Sequence, residues 1–168
     1  PKLHADELEP SGGAELAVEL GAASADHLGR VSDEGIRALA GSDTVATLLP
    51  ATLFFLGKRD YAPARRLIDA GATVALATDF NPGSAPGSGL PLVMTMACSQ
   101  MGMEPLEALV AATAGGARAL RLEDGRGTLR VGAPADLVLW GVDDHRQIPY
   151  RFGAPLVRGV WKRGERVR

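Results

Sequence analysis

Histidine and carboxylate side chains recur at one kind of place in this chain, the end of a short apolar run. His4 lies in Leu3-His4-Ala5-Asp6-Glu7, His27 closes Ala25-Asp26-His27, and Asp79 follows Thr73-Val74-Ala75-Leu76-Ala77. Histidine and aspartate bind zinc or iron, and a neighbouring carboxylate such as Glu7 can move protons. A metal ion with an open position brings the pKa of bound water to roughly 7, which makes hydroxide at neutral pH. Each residue alone says little. A single histidine at a strand end is more often structural, and Asp79 fits a cap on the following turn as well as it fits a ligand. Their shared placement at successive strand ends is what points to a metal-assisted site. His145, in Val142-Asp143-Asp144-His145-Arg146, reads as surface. Cys98 lies in the apolar helical run from Leu92 to Met103 and reads as a packed core thiol rather than a nucleophile.

These residues need elements to hold them. Helices are expected over Ala14 to Leu20, ended by Gly21, and after Ser32, a good N-cap followed by Asp33 and Glu34 in the first turn. Further helices are expected over Pro63 to Ala70, about Leu90 to Met101, and Pro105 to Leu120. Buried strands are expected at Thr44 to Leu49, ended by Pro50, and at Thr73 to Ala77. The loop Asn81-Pro82-Gly83-Ser84 is built of turn formers. The strand–helix rhythm with short connections predicts a parallel sheet with helices outside it, about four such units, whose strand ends carry His4, His27, Pro50 and Asp79 on one rim. After Leu122 the texture changes. Thr128 to Val131, Asp136 to Trp140 and Leu156 to Val160 read as strands, and Trp161 to Val167 reads as a hairpin turning at Arg163-Gly164, with no helix among them.

Composition narrows the class. The chain has 168 residues, 46% of them hydrophobic, and a net charge of −2 without a basic block, which argues against a nucleic-acid footprint. No apolar run approaches the roughly 18 residues of a membrane span, and no signal peptide opens the chain. A single cysteine forbids an internal disulfide and fits a reducing compartment. The chain opens on Pro1 without an initiator methionine and reads as part of a longer protein.

The runs His4-Ala5-Asp6-Glu7, Gly12-Gly13-Ala14-Glu15-Leu16-Ala17, Ser24-Ala25-Asp26-His27-Leu28, Ala77-Thr78-Asp79-Phe80-Asn81-Pro82-Gly83-Ser84, Met96-Ala97-Cys98 and Pro134-Ala135-Asp136-Leu137-Val138 together resemble the amidohydrolase superfamily over nearly the whole chain. The resemblance implies an α/β fold. Residues 1–121 would form the C-terminal half of a metal-dependent (β/α)8 barrel, and residues 122–168 a small β-sandwich module completed by a preceding N-terminal segment. It implies one divalent or trivalent metal ion, zinc or iron, with His4 and Asp79 as ligands. His27, Glu7 and Asp79 would be catalytic, and Glu7, Asn81, Gly83 and Ser84 would bind substrate. The implied reaction is hydrolysis of the cyclic amide C–N bond of 4-imidazolone-5-propanoate to N-formimidoyl-L-glutamate, a step of histidine degradation, in a cytoplasmic homodimer. A turn rich in backbone N–H groups suits the planar ring and propionate tail of that substrate. The superfamily's His-x-His pair and its arginine and tyrosine substrate contacts belong to an N-terminal half, and this chain has no His-x-His. Two other readings stand beside this one: another amidohydrolase, such as a cytosine or guanine deaminase, and a non-catalytic module that keeps the fold without the metal. The Asn81 to Ser84 loop favours the imidazolone reading over the deaminase, and metal content separates enzyme from module.

Overall fold

The computed structural model describes residues 1–87 and 89–168. Four short strands, β1 (Lys2–Ala5), β2 (Ser24–His27), β3 (Val45–Leu48) and β4 (Val74–Leu76), pair in parallel in the order β1-β2-β3-β4. Every residue of β3 and β4 is buried, as a parallel strand between helical layers requires. The β1–β2 register sets His4 beside Asp26 and Ala5 beside His27, so the histidines leave the sheet on adjacent strands at the same end.

Helices α1 (Gly13–Glu19), α2 (Asp33–Ala40), α4 (Ala64–Asp69) and α5 (Leu90–Met101) connect and cover the strands. Ser32 caps α2 as its type suggests, its hydroxyl accepting from the Gly35 N–H at 2.8 Å. An additional helix, α3 (Pro50–Phe55), follows β3 directly. The sequence reading took Pro50 only as the end of a strand. Proline is also suited to a first helical turn, where its missing N–H costs nothing, and that is its use here.

The single helix expected over Pro105 to Leu120 is a three-part run: α6 (Pro105–Val110), a π-helical turn (Ala111–Gly115) and α7 (Gly116–Ala119). The widened turn lies against β4 so closely that a Cβ on Gly115 would sit 2.2 Å from the Val74 carbonyl oxygen. The core between sheet and helices is built on Leu28, Leu39, Leu48, Leu67 and Val93.

A second sheet is antiparallel, in the order β5 (Leu137–Trp140), β6 (Val157–Lys162), β7 (Glu165–Arg166). The β6–β7 hairpin turns at Arg163-Gly164, both at positive φ (51° and 86°), the pattern of a type I′ turn. Two expectations for this region are corrected. Thr128 to Val131 is no strand: Leu129 and Val131 are 90% and 104% exposed, and Gly125, Gly127 and Gly132 at positive φ break the chain into turns. A short helix, α8 (Gln147–Tyr150), interrupts the strands. It is held by tertiary contact, with Ile148 and Pro149 buried and the Thr95 hydroxyl of α5 donating to the Pro149 carbonyl at 2.6 Å. Among the described residues no helix is long and apolar enough to cross a membrane.

Candidate active site

The ends of β1 and β2 bring three donors together. The imidazole rings of His4 and His27 lie 4.5 Å apart between centroids and are tilted by 35°. The Glu7 carboxylate reaches between them, 3.8 Å from His4 Nδ1 and 3.5 Å from His27 Nδ1. One ligand atom from each of the three residues lies within 4.8 Å of the others, an arrangement that could hold a metal ion. The set is graded in exposure. The His4 side chain is 74% exposed, that of Glu7 29% and that of His27 4%.

His27 is the least ordinary of the three. Burial pushes its pKa below the usual histidine value, with His4 adding to the depression, against the opposing pull of Glu7, Asp79 and Asp26. The ring is therefore neutral near pH 7. With the Glu7 carboxylate facing Nδ1, the proton is favoured there and the Nε2 lone pair is left free. Nε2 is buried and has no hydrogen-bond partner among the described residues. His27 and Leu28 both adopt positive φ (83° and 62°), which is costly for residues with a Cβ and marks a backbone held by its surroundings. The restraint is visible: the Leu28 N–H donates to the Ala5 carbonyl at 2.9 Å. A Cβ on Gly29 would fall 2.5 Å from the Glu7 carbonyl oxygen, so only glycine lets the β2 loop press on the β1 loop.

Asp6 anchors that β1 loop. Its buried carboxylate accepts from the N–H groups of Ser11 (2.7 Å), Gly13 (3.3 Å) and Ala14 (3.0 Å) and from the Ser11 hydroxyl (2.9 Å). It thus caps α1 from outside the helix while fixing the chain between His4 and Glu7.

Asp79 stands apart from the three-donor group, three residues beyond Leu76, the last residue of β4, at φ 53°. Asp79 is within electrostatic reach of His27, whose pKa it raises. One of its carboxylate oxygens, Oδ2, accepts from the Thr52 hydroxyl at 2.5 Å, and its main-chain carbonyl accepts from Asn81 Nδ2 at 2.7 Å. The following loop is closed by its own side chain. Asn81 Oδ1 accepts from the N–H groups of Gly83 (2.9 Å) and Ser84 (2.8 Å), so the donors expected to meet substrate are here turned inward. Asn81, Gly83 and Ser84 thus shape a loop beside Asp79, and Phe80 projects from it, 64% exposed.

The structure therefore assembles His4, Glu7 and His27, places Asp79 at the rim with Asn81 to Ser84 after it, and leaves His145 on the surface. Cys98 is half buried and its thiol pKa is raised by burial and by Glu107, which suits packing and not nucleophilic attack. Sequence reasoning missed Asp6, Gly29 and Thr52. A glycine or a threonine carries no signal for a contact with a distant residue, and the cap made by Asp6 spans a loop instead of the usual adjacent position.

A model of the amidohydrolase family matches residues 17–168. The chain is 52% identical over 163 residues to the imidazolonepropionase of Bacillus cytotoxicus, covering 97% of this chain and 38% of that protein. It is 51% identical over the same span to the imidazolonepropionase of Bacillus mycoides. The chain thus spans less than half the length of the curated relatives it matches. Among solved structures, an adenosine deaminase from Xanthomonas campestris with bound zinc superposes with a TM-score of 0.84 at 23% identity, over 98% of this chain and 44% of that one. The A. niger ochratoxinase superposes with a TM-score of 0.78 at 25% identity, over 98% of this chain and 41% of that one.

Proposed function

Because this chain belongs to the amidohydrolase family, we propose that it supplies the C-terminal part of an imidazolonepropionase active site. The reaction is hydrolysis of the cyclic amide C–N bond of 4-imidazolone-5-propanoate to N-formimidoyl-L-glutamate. The observation that carries the chemistry is the convergence of His4, Glu7 and His27 at adjacent strand ends. The 52% identity to a Bacillus imidazolonepropionase supports the choice of substrate.

The residues fit a metal ion. Imidazole and carboxylate are the donors zinc and iron accept, and the buried His27 Nε2, without a partner among the described residues, is left to meet the water or the substrate. In this reading His4 and Asp79 hold a single zinc or iron ion, which supplies Lewis acidity toward the ring carbonyl and the attacking water. Glu7, between the two imidazoles, accepts a hydrogen bond from the ring nitrogen of the substrate or from the water. His27, neutral and fixed by its strained backbone, moves the proton between water and leaving nitrogen. The Asn81 to Ser84 loop, ordered by Asn81, shapes the substrate side of Asp79. Residues 1–121 serve as the barrel part and residues 122–168 as the β module, in a protein that acts on a small molecule as a homodimer.

A second reading rests on the same geometry: His27 is itself a ligand, since it offers a ring nitrogen to the group of donors within 4.8 Å and its Nε2 has no hydrogen-bond partner among the described residues. Two variants of the full-length protein decide. Asp79→Ala should lose bound metal, by elemental analysis, together with turnover of 4-imidazolone-5-propanoate; unchanged stoichiometry removes Asp79 from the centre. His27→Asn should keep its metal and lose about 100-fold or more in kcat with little change in KM. Loss of metal in His27→Asn establishes the second reading, and an unchanged kcat makes His27 structural.

A further inference from the structure

We propose that Thr52 is a positioning residue for Asp79, a role that rests on the reading of Asp79 as part of the metal centre. The Thr52 hydroxyl donates to Asp79 Oδ2 at 2.5 Å across 27 residues of chain. Threonine inside a helix ordinarily returns its hydroxyl to the carbonyl one turn back. Thr113 of this chain does so, donating to the Leu109 carbonyl at 2.8 Å. Thr52 has no such option. It is the third residue of α3, and the residue four back, Leu48, belongs to β3.

Thr52 is also 1% exposed, so its hydroxyl cannot turn to water, and the carboxylate is its partner. A hydroxyl–carboxylate bond of this length is charge-assisted and directional. It fixes the side-chain end of Asp79, while Asn81 Nδ2 fixes the main-chain end at 2.7 Å. Held at both ends, the carboxylate keeps Oδ1 as the oxygen that accepts no hydrogen bond from a described residue. The short step from β3 into α3 is what delivers this support, since it places the first turn of α3 at the strand-end rim.

The test uses the full-length, metal-loaded protein with Thr52→Val, which removes the hydroxyl and keeps the shape, and Thr52→Ser, which keeps the hydroxyl. Partners that orient a metal ligand are commonly worth about 10- to 100-fold in affinity or activity. Thr52→Val should release metal to a colorimetric chelator about 10- to 100-fold faster and lose kcat in the same range, with KM within roughly 2-fold. Thr52→Ser should return both rates to within about 3-fold of wild type. In an Asp79→Ala background, which removes the acceptor, Thr52→Val should add nothing further, because both changes act through one contact. The proposal is overturned if Thr52→Val matches wild type in metal release and kcat while Asp79→Ala loses both. If Asp79→Ala keeps its metal and turnover, the reading of the centre falls and this proposal with it. Should Thr52→Val fail to fold, Thr52→Ala against Thr52→Ser decides: fast release in Ala alone supports the role, and equal rates refute it.

Discussion

Asp6 serves the site without touching it. Burial by itself would raise its pKa, but hydrogen bonds from Ser11, Ala14 and Gly13 more than offset this and hold the carboxylate below its ordinary value. A depressed carboxylate contributes stability that is present above its unfolded pKa and lost as pH falls through its folded one. Asp6→Asn presents an NH2 group to a nest of donors and leaves some of them unpaired. It should therefore cost about 1–3 kcal/mol at neutral pH, read from chemical denaturation. The gap between wild type and Asp6→Asn should narrow as pH drops below about 4; a gap independent of pH would assign the loss to packing. At this scale the sequence was most legible in placement at the strand ends, as at His4 and His27. It was least legible at Asp6 and Thr52, whose partners lie 5 to 8 and 27 residues away and follow no periodic pattern.

The run α6, π turn and α7 shows why element boundaries were harder to read than elements. A single helix was expected over Pro105 to Leu120, but the widening between Ala111 and Gly115 answers to β4, not to local propensity. The same reason accounts for α3 and α8, whose short lengths give no period to detect, and for Thr128 to Val131, whose alternation has no partner strand among the described residues. Elements with their own stop and start signals came through: α2 with its Ser32 cap, and the hairpin at Arg163-Gly164. Two adjacent glycines separate local from tertiary demand. A Cβ at Gly115 would clash with the Val74 carbonyl oxygen at 2.2 Å, whereas at Gly116 the nearest atom is 4.0 Å away and φ is −59°. Gly115→Ala should destabilise by about 1–3 kcal/mol through the shift it forces on β4. Gly116→Ala should be neutral or stabilise by up to about 1 kcal/mol, since alanine is the better helix former. Thermal or denaturant unfolding of the two variants checks this, and equal effects would mean the π turn does not depend on close approach to β4.

Among the described residues the four parallel strands end in two unpaired edges, β1 and β4, because the order β1-β2-β3-β4 does not close on itself. Parallel sheets are stable where both faces and both edges are covered, and an open edge offers its N–H and C=O groups to any other chain. Beside β4 a cavity of about 880 Å³ opens between Ile68, Val110 and Leu122. The second sheet is similarly bare: Val138 is 44% exposed and Leu139 55%. Near the strand-end rim, Phe54 and Phe55 of α3 are 61% and 53% exposed. Surfaces of this kind mark contacts to be made, and the chain spans 38% of the length of the Bacillus relative it matches. The 168 residues expressed alone should therefore associate or aggregate, bind a hydrophobic dye, and show no turnover of 4-imidazolone-5-propanoate. The same residues within a full-length protein should be monodisperse and metal-loaded. The site argues the same way, since His4 is 74% exposed and lacks surroundings that would exclude water and fix its ring. Light scattering and metal analysis on the two proteins decide the matter. A monodisperse chain with cooperative unfolding would mean that its edges and apolar faces are self-sufficient, and bound metal with turnover would mean that the site needs no residues beyond those of this chain.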